Sequence, residues 1–138
     1  MAKTERIMAL DVGEKRIGVA FGDSQTKIAV AETTLDNDDS FLEKMGDLIN
    51  VKQPVVIVLG MPRNLDGQVT KQSEFVTDFA ESLNVFNLPI VFQDESLTSI
   101  EAKSLLNTQF GGKYNKKDID AKAAELILSD YLERKYAQ

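Results

Sequence analysis

Three acidic residues occupy positions where the surrounding sequence is apolar or begins a helix. Asp11 ends an apolar run that starts at Ile7, the pair Asp94-Glu95 ends another, and Asp120 heads the apolar stripe of the last predicted helix. An unpaired buried carboxylate is costly, so such positions need a partner or a function. Converging carboxylates also repel one another unless cations neutralise them, and Mg²⁺ or Mn²⁺ suits ligands that are all oxygen. A pair of such ions ~3.5–4 Å apart can activate a water and stabilise the leaving oxygen in phosphoryl transfer.

Each acid also has a simpler interpretation. Asp11 could cap the turn after its strand, although a carboxylate that ends an apolar central strand favours a functional role. Glu95 could precede a helix and interact with the positive end of its dipole, and Asp120, in the first turn of its helix, has the same explanation. Asp94 is an alternative to Glu95. The hypothesis of one site therefore depends on the joint placement of the three acids.

The composition removes most other kinds of catalytic site. The 138-residue chain has no cysteine and no histidine, which excludes disulfides, cysteine nucleophiles and catalytic pairs that need an imidazole. The net charge of −6 argues against a general polyanion binder. No apolar run is long enough for a membrane span and no secretory leader is present, so we expect a cytoplasmic protein without a membrane partner.

The strands that would position these acids are predicted from apolar runs between turn residues. Three runs with short links indicate an antiparallel meander. The fourth run has apolar residues at both odd and even positions, as expected of a strand that is buried on both faces, and we expect it to lie beside the first. A fifth, short run ends at Asp94. Gly13 starts the first turn, and Gly18 and Gly22 indicate bulges or close backbone approach. The predicted strands cover residues 7–11, 17–22, 28–34, 54–60 and 88–93.

Four helices are predicted from caps and apolar spacing. The first opens with a capping-box pattern at Ser40, and the third opens with a second such pattern at Thr98. The others cover residues from about 70 and from about 118 to 136, and a basic loop at 110–117 precedes the last. The order β-β-β-α-β-α-β-α-α predicts one α/β domain over residues 1–138, with a mixed five-stranded sheet flanked by helices.

This topology brings the acids toward one edge of the sheet. Ligands collect beyond the carboxyl ends of parallel strands, and Asp11 and Asp94-Glu95 both follow strands that end there. Asp120 shares a helix face with Ala123, Ala124, Ile127 and Tyr131. The small Ala123 and Ala124 would let this helix approach the sheet closely and bring Asp120 near Asp11.

Four segments resemble the YqgF (RuvX) family in order and spacing over nearly the whole chain: LDVGEKRIGVA at 10–20, LGMPRNLDG at 59–67, DESLTS at 94–99 and DAKAA at 120–124. The resemblance implies an RNase H-like fold, related to the RuvC Holliday junction resolvases, in the bacterial cytoplasm. It also implies maturation of the 5′ end of pre-16S rRNA or resolution of Holliday junctions. The family's active-site acids fall on Asp11, Glu95 and Asp120, the three that the sequence had already singled out.

The chain departs from the family pattern after Asp94-Glu95. Family members usually have an arginine at the next position, where this chain has Ser96, and the second of two threonines is Ser99. The missing arginine removes a phosphate clamp or carboxylate partner near the site. The departure therefore bears on catalytic strength and substrate affinity and leaves the predicted fold unchanged.

We therefore predict a Mg²⁺- or Mn²⁺-dependent nuclease that acts on pre-rRNA or a ribosomal precursor particle. Asp11, Glu95 and Asp120 would be its catalytic residues and metal ligands. If basic residues share an edge with these acids they would contact phosphates, and otherwise they are solvated loop charges. The candidates for nucleic-acid binding are Lys15, Arg16, Arg63, Lys116 and Lys117.

Three alternatives stay open. A Holliday junction resolvase would use the same acids on DNA four-way junctions. A non-catalytic RNA-binding module for ribosome assembly would fit the missing arginine and the net negative charge, and it would have no reason to bind divalent ions. An actin-like ATPase or sugar kinase also uses an Asp-x-Gly phosphate loop, but it needs two such domains around a cleft. The sequence leaves the oligomeric state open.

Overall fold

A computed structural model describes residues 4–62, 70–94 and 116–136. The described strands are β1 (Arg6–Val12), β2 (Arg16–Asp23), β3 (Ala29–Asp36), β4 (Val56–Met61) and β5 (Ile90–Asp94). The described helices are α1 (Phe41–Lys52), α2 (Lys71–Ser82) with a short 3₁₀ helix (Leu83–Phe86) after it, and α3 (Lys116–Tyr136). The predicted helix that opens at Thr98 lies outside the described residues.

The strands form one mixed sheet in the order β3-β2-β1-β4-β5. β2 is antiparallel to both β1 and β3, whereas β1, β4 and β5 run parallel to one another. The predicted meander, and the predicted place of the fourth strand beside the first, are both confirmed. The carboxyl ends of β1, β4 and β5 therefore meet at one edge of the sheet, which we call the carboxyl edge.

The central strand β1 is buried because helices cover both faces of the sheet. Its residues Met8 and Leu10 pack with the core side chains of α1 and α2, which are Phe41, Met45, Val76 and Ala80. Ile7 and Ala9 point to the opposite face and pack with those of α3, which are Ala124, Ile127, Leu128, Tyr131 and Leu132. Successive residues of a strand point to opposite faces, so this two-sided burial explains why β1 and β4 have apolar residues at both odd and even positions.

α1 and α2 begin where the sequence predicts, α3 begins at Lys116, about two residues earlier than predicted, and one predicted cap is wrong. α1 begins after Ser40, yet Ser40 makes no side-chain cap bond. Its Oγ donates to Asp38 Oδ1 at 2.6 Å, and its backbone is helical (φ −87°, ψ −6°), whereas a capping serine is usually extended so that its hydroxyl oxygen can accept from the first turn. A complete capping box is found at the start of α2, between Thr70 and Ser73.

The edge strand β3 begins one residue later and ends two residues later than its predicted span of 28–34. Ile28 is exposed, and the pairing with β2 has a bulge because Val19 faces Thr33 whereas Ala20 faces Ala31. The backbone N–H of Ala31 donates to Glu125 Oε1 of α3 at 3.1 Å. A bulge and a side-chain acceptor at this edge reduce its capacity to pair with another strand.

Within the described ranges, no helix is both long and apolar enough to cross a membrane.

Candidate active site

Asp11 lies at the carboxyl edge because β1 ends there and turns directly into β2. It is the last residue but one of β1, is only partly exposed, and faces Gly18 of β2 across the antiparallel pair. The turn is closed by the Gly13 N–H, which donates to the Arg16 carbonyl at 3.0 Å. A Cβ atom on Gly13 would lie 2.7 Å from that carbonyl oxygen. Gly13 therefore allows the tight turn that the sequence predicts after Asp11.

Asp120 is brought to the same place by the close packing of α3 on β2. A Cβ atom on Gly18 would lie 1.9 Å from the Asp120 carbonyl oxygen, so only glycine fits at this contact. Ala123 and Ala124 are buried, as the predicted close approach of this helix requires. Because Gly18 is the pairing partner of Asp11, this contact sets the fifth residue of α3 beside the end of β1.

Asp11 and Asp120 line one cleft, with a volume of about 260 Å³, at the carboxyl edge. The predicted convergence of these two acids is what the structure shows. Glu95, the third predicted acid, lies outside the described residues, so its place in the cleft stays a prediction. The alternative, Asp94, is exposed at the end of β5 and is not among the described residues that line the cleft. The described lining consists of Asp11, Val12, Gly13, Arg16, Gly60, Pro62, Gln72, Val76 and Asp120.

Arg16 is the residue whose role in the cleft the sequence did not reveal. Its Nε donates to Asp120 Oδ2 at 2.7 Å, and the two side chains are 27% and 19% exposed. We predicted Arg16 as a phosphate contact, and the structure adds this acidic partner. The available signal was the acid at the head of a buried stripe, which requires a cation. Gln72 of α2 was also missed, and no sequence pattern distinguished it.

Of the other predicted basic residues, Lys15 and Lys117 have described side chains, and neither is among the residues that line the cleft. Lys15 is exposed in the β1–β2 turn. Lys117 lies near the start of α3, with its Nζ 3.7 Å from Asp36 Oδ1, and both side chains are about half exposed. Arg63 lies outside the described residues, and the side chain of Lys116 is likewise not described. Contact of these groups with nucleic acid stays a prediction.

Asn37 fixes the turn that carries Lys15 and Arg16. Its Nδ2 donates to the Gly13 carbonyl at 3.0 Å, and its backbone N–H donates to the Lys15 carbonyl at 2.8 Å. Two bonds from the end of β3 thus tie down a short, exposed turn. These bonds hold the backbone beside the cleft in place.

The oxygen donors of the cleft fit a hard divalent cation. Two carboxylates at one carboxyl edge are the ligand type that Mg²⁺ and Mn²⁺ prefer. Among residues 4–62, 70–94 and 116–136 there is no group of three acids that could hold a metal ion. The third ligand of the predicted set, Glu95, lies outside these ranges. The described part therefore supplies two of the three predicted ligands.

Comparison with known proteins places the chain in a family. The family model described as "RuvX: Holliday junction resolvase" matches residues 5–134. A protein of Buchnera aphidicola subsp. Baizongia pistaciae is 38% identical over 129 residues, which cover 91% of this chain and 94% of the relative. A protein of Thermoanaerobacter pseudethanolicus is 38% identical over 133 residues, which cover 93% and 96%. Both carry the name "Putative pre-16S rRNA nuclease".

Solved structures of junction resolvases share the fold. The fowlpox virus resolvase in complex with Holliday junction DNA gives a TM-score of 0.56 at 15% identity, covering 94% of this chain and 98% of that one. RuvC of Thermus thermophilus in complex with a Holliday junction gives a TM-score of 0.50 at 8% identity, covering 96% of each chain. At such identities the likeness concerns the fold alone. The chain is thus a member of the RuvX family with the RNase H-like fold of the junction resolvases.

Proposed function

We propose that this protein is a metal-dependent nuclease that hydrolyses phosphodiester bonds at the 5′ end of pre-16S rRNA. The observation that carries the proposal is the shared cleft of Asp11 and Asp120 at the carboxyl edge, with Arg16 beside them. Relatives named for this activity match more than nine-tenths of the chain. On this proposal the protein would act in the bacterial cytoplasm, where precursor rRNA is processed.

The proposed site residues are of two kinds: carboxylates that would bind the metal ion and basic side chains that would bind phosphates. Asp11, Asp120 and Glu95 would hold Mg²⁺ or Mn²⁺, with Asp11 central because it lies at the end of the central strand. A divalent ion held there supplies electrostatic stabilisation of the charge that develops on a phosphodiester. Lys15, Arg16, Arg63, Lys116 and Lys117 would hold the phosphates on either side, which positions the substrate without reading its sequence.

Holliday junction resolution is the second candidate function. The description of the matching family and the DNA complexes of the structural neighbours favour it. The relatives named for rRNA processing favour the first candidate, because they are much more similar in sequence than the junction-bound neighbours. Both activities would use the same acids, so the choice between them concerns the substrate.

The experiment compares wild type with Asp11→Asn and Asp120→Asn on two substrates. A precursor rRNA 5′ end and a DNA four-way junction are incubated with and without Mn²⁺. We expect Mn²⁺-dependent cleavage of the rRNA by wild type and a loss of at least about 100-fold in each variant, because each removes a charge that the transition state needs. Equal cleavage by a folded Asp11→Asn protein would refute the mechanism. Binding without cleavage by wild type would identify an RNA-binding assembly module.

A further inference from the structure

Arg16 gives the cleft a positive charge of its own. Two carboxylates, Asp11 and Asp120, and one guanidinium line the described part of the cleft. The guanidinium contacts Asp120 directly, at 2.7 Å. A divalent cation that binds at Asp120 therefore meets a carboxylate that already has a cationic partner.

We propose that Arg16 is the resident counter-cation of the site. It neutralises Asp120 until a divalent cation binds, and it then turns its guanidinium toward a phosphate of the nucleic acid. Arg16 is in this sense a positioning residue that competes with the metal and cooperates with the substrate. The inference rests on the proposed function, because it assumes a cation site at Asp11 and Asp120.

The partial burial of the pair suits an exchange of partners. Asp120 is 19% exposed, so leaving its carboxylate without a cation would carry a desolvation cost. Arg16 is 27% exposed, so its head group can reach solvent. A pair with this exposure is weaker than a fully buried one, since water screens the attraction. The pair can therefore form when the metal is absent and break when it is present.

The donor geometry of Arg16 also suits two successive acceptors. The bond to Asp120 uses the Nε–H, which is one of the five N–H donors of a guanidinium, and the planar fork of the others matches a phosphate. The backbone of Arg16 is fixed, because its carbonyl accepts from Gly13 and Asn37 anchors the same turn. Only the side chain needs to move for the exchange.

The size of the effect follows from simple electrostatics. A single and a double positive charge roughly 6 Å apart in a water-like dielectric repel each other by about 1.4 kcal/mol, which is a tenfold change in affinity. Removing the charge of Arg16 should therefore strengthen Mn²⁺ binding about tenfold. A purely structural role for Arg16 predicts the opposite, because loss of its bond would leave Asp120 poorly positioned.

The test measures Mn²⁺ affinity from the electron paramagnetic resonance signal of the free ion, with no nucleic acid present. Arg16→Met should bind Mn²⁺ about tenfold more tightly than wild type, and Arg16→Lys, which keeps the charge, should resemble wild type. Arg134→Met is the matched control, because Arg134 is an exposed arginine on α3, the helix that carries Asp120, and lies roughly 21 Å from Asp120 along the helix axis. Unchanged or weaker binding by folded Arg16→Met, or tighter binding by Arg16→Lys, would overturn the proposal. Arg16→Gln replaces Arg16→Met if the latter does not fold.

Two further measurements complete the test. Asp11→Asn and Asp120→Asn should abolish Mn²⁺ binding, and if they leave it intact the proposed function itself fails. If they abolish it and Arg16→Met does not strengthen it, only the present inference fails. Fluorescence anisotropy with a 2′-O-methyl RNA oligonucleotide should show that Mn²⁺ improves RNA binding more in wild type than in Arg16→Met. Equal gains would show that Arg16 does not turn to the phosphate.

Discussion

Replacing Gly18 by alanine should separate α3 from the sheet and displace Asp120. The added Cβ would lie 1.9 Å from the Asp120 carbonyl oxygen and 3.0 Å from the Ala121 nitrogen. Both are backbone atoms, so the helix must retreat by roughly 1.5 Å to reach ordinary contact distance. We expect a loss of about 1–3 kcal/mol in the free energy of unfolding from this overpacking. A displacement of this size at a catalytic group should also lower cleavage about 100-fold.

The assay combines urea unfolding with the rate of precursor cleavage, and Gly46→Ala is the control. Gly46 lies inside α1, and its added Cβ would lie 3.6 Å from the Phe86 ring, which is ordinary contact. The same chemical change there should stabilise the protein by about 0.5–1 kcal/mol, because alanine favours a helix interior over glycine. Wild-type stability and activity in Gly18→Ala would refute the idea that this contact positions Asp120.

Three further predictions concern stability and are measured by urea unfolding. Glu125→Ala should cost about 1 kcal/mol, because the Ala31 N–H loses its carboxylate acceptor; a neutral result would mean that water replaces the bond fully. The Asp23 carboxylate accepts hydrogen bonds from the Thr26 N–H, which has the largest effect, and from the Thr26 hydroxyl and the Gln25 N–H. Together they outweigh the opposing effect of burial and hold the pKa of Asp23 below its usual value of 3.8. The stabilisation this gives is present at neutral pH and disappears as the pH falls through the folded-state pKa, so Asp23→Asn should be destabilising at neutral pH and match wild type in strong acid. Met45→Ala should cost about 2–5 kcal/mol, since Met45 is fully buried between α1 and the sheet, and a loss below about 1 kcal/mol would contradict that packing.

The sequence was sufficient to predict the sheet because burial dictates its pattern. Residues 54–60 carry apolar side chains at both odd and even positions, and residues 7–10 form an apolar run that stops at Asp11, which predicted β4 and β1 as buried strands. The rule that parallel strands end at one edge then placed Asp11, and the apolar stripe of α3 placed Asp120 near it. These inferences used only local periodicity and a general property of α/β sheets, and the shared cleft confirms them.

Specific side-chain partners were beyond the reach of the sequence. The Arg16–Asp120 pair joins residues 104 positions apart, and no local pattern distinguishes that partner from the other acids of the chain. The Ser40 cap failed for a local reason, since Asp38 Oδ1 accepts from both the N–H and the hydroxyl of Ser40, whose backbone is helical and not extended. Gly18 was expected to allow close approach, but its contact with Asp120 became visible only once α3 was placed on β2.

The central claim is that Asp11 and Asp120 share a divalent cation at the carboxyl edge. A crystal soaked in Mn²⁺ and measured for anomalous scattering tests it most directly. We predict an anomalous peak within about 2–2.3 Å of a carboxylate oxygen from each residue, since these are the usual ligand distances of such small ions. An ion bound to only one of the two carboxylates, or no peak in the cleft at saturating Mn²⁺, would contradict the claim.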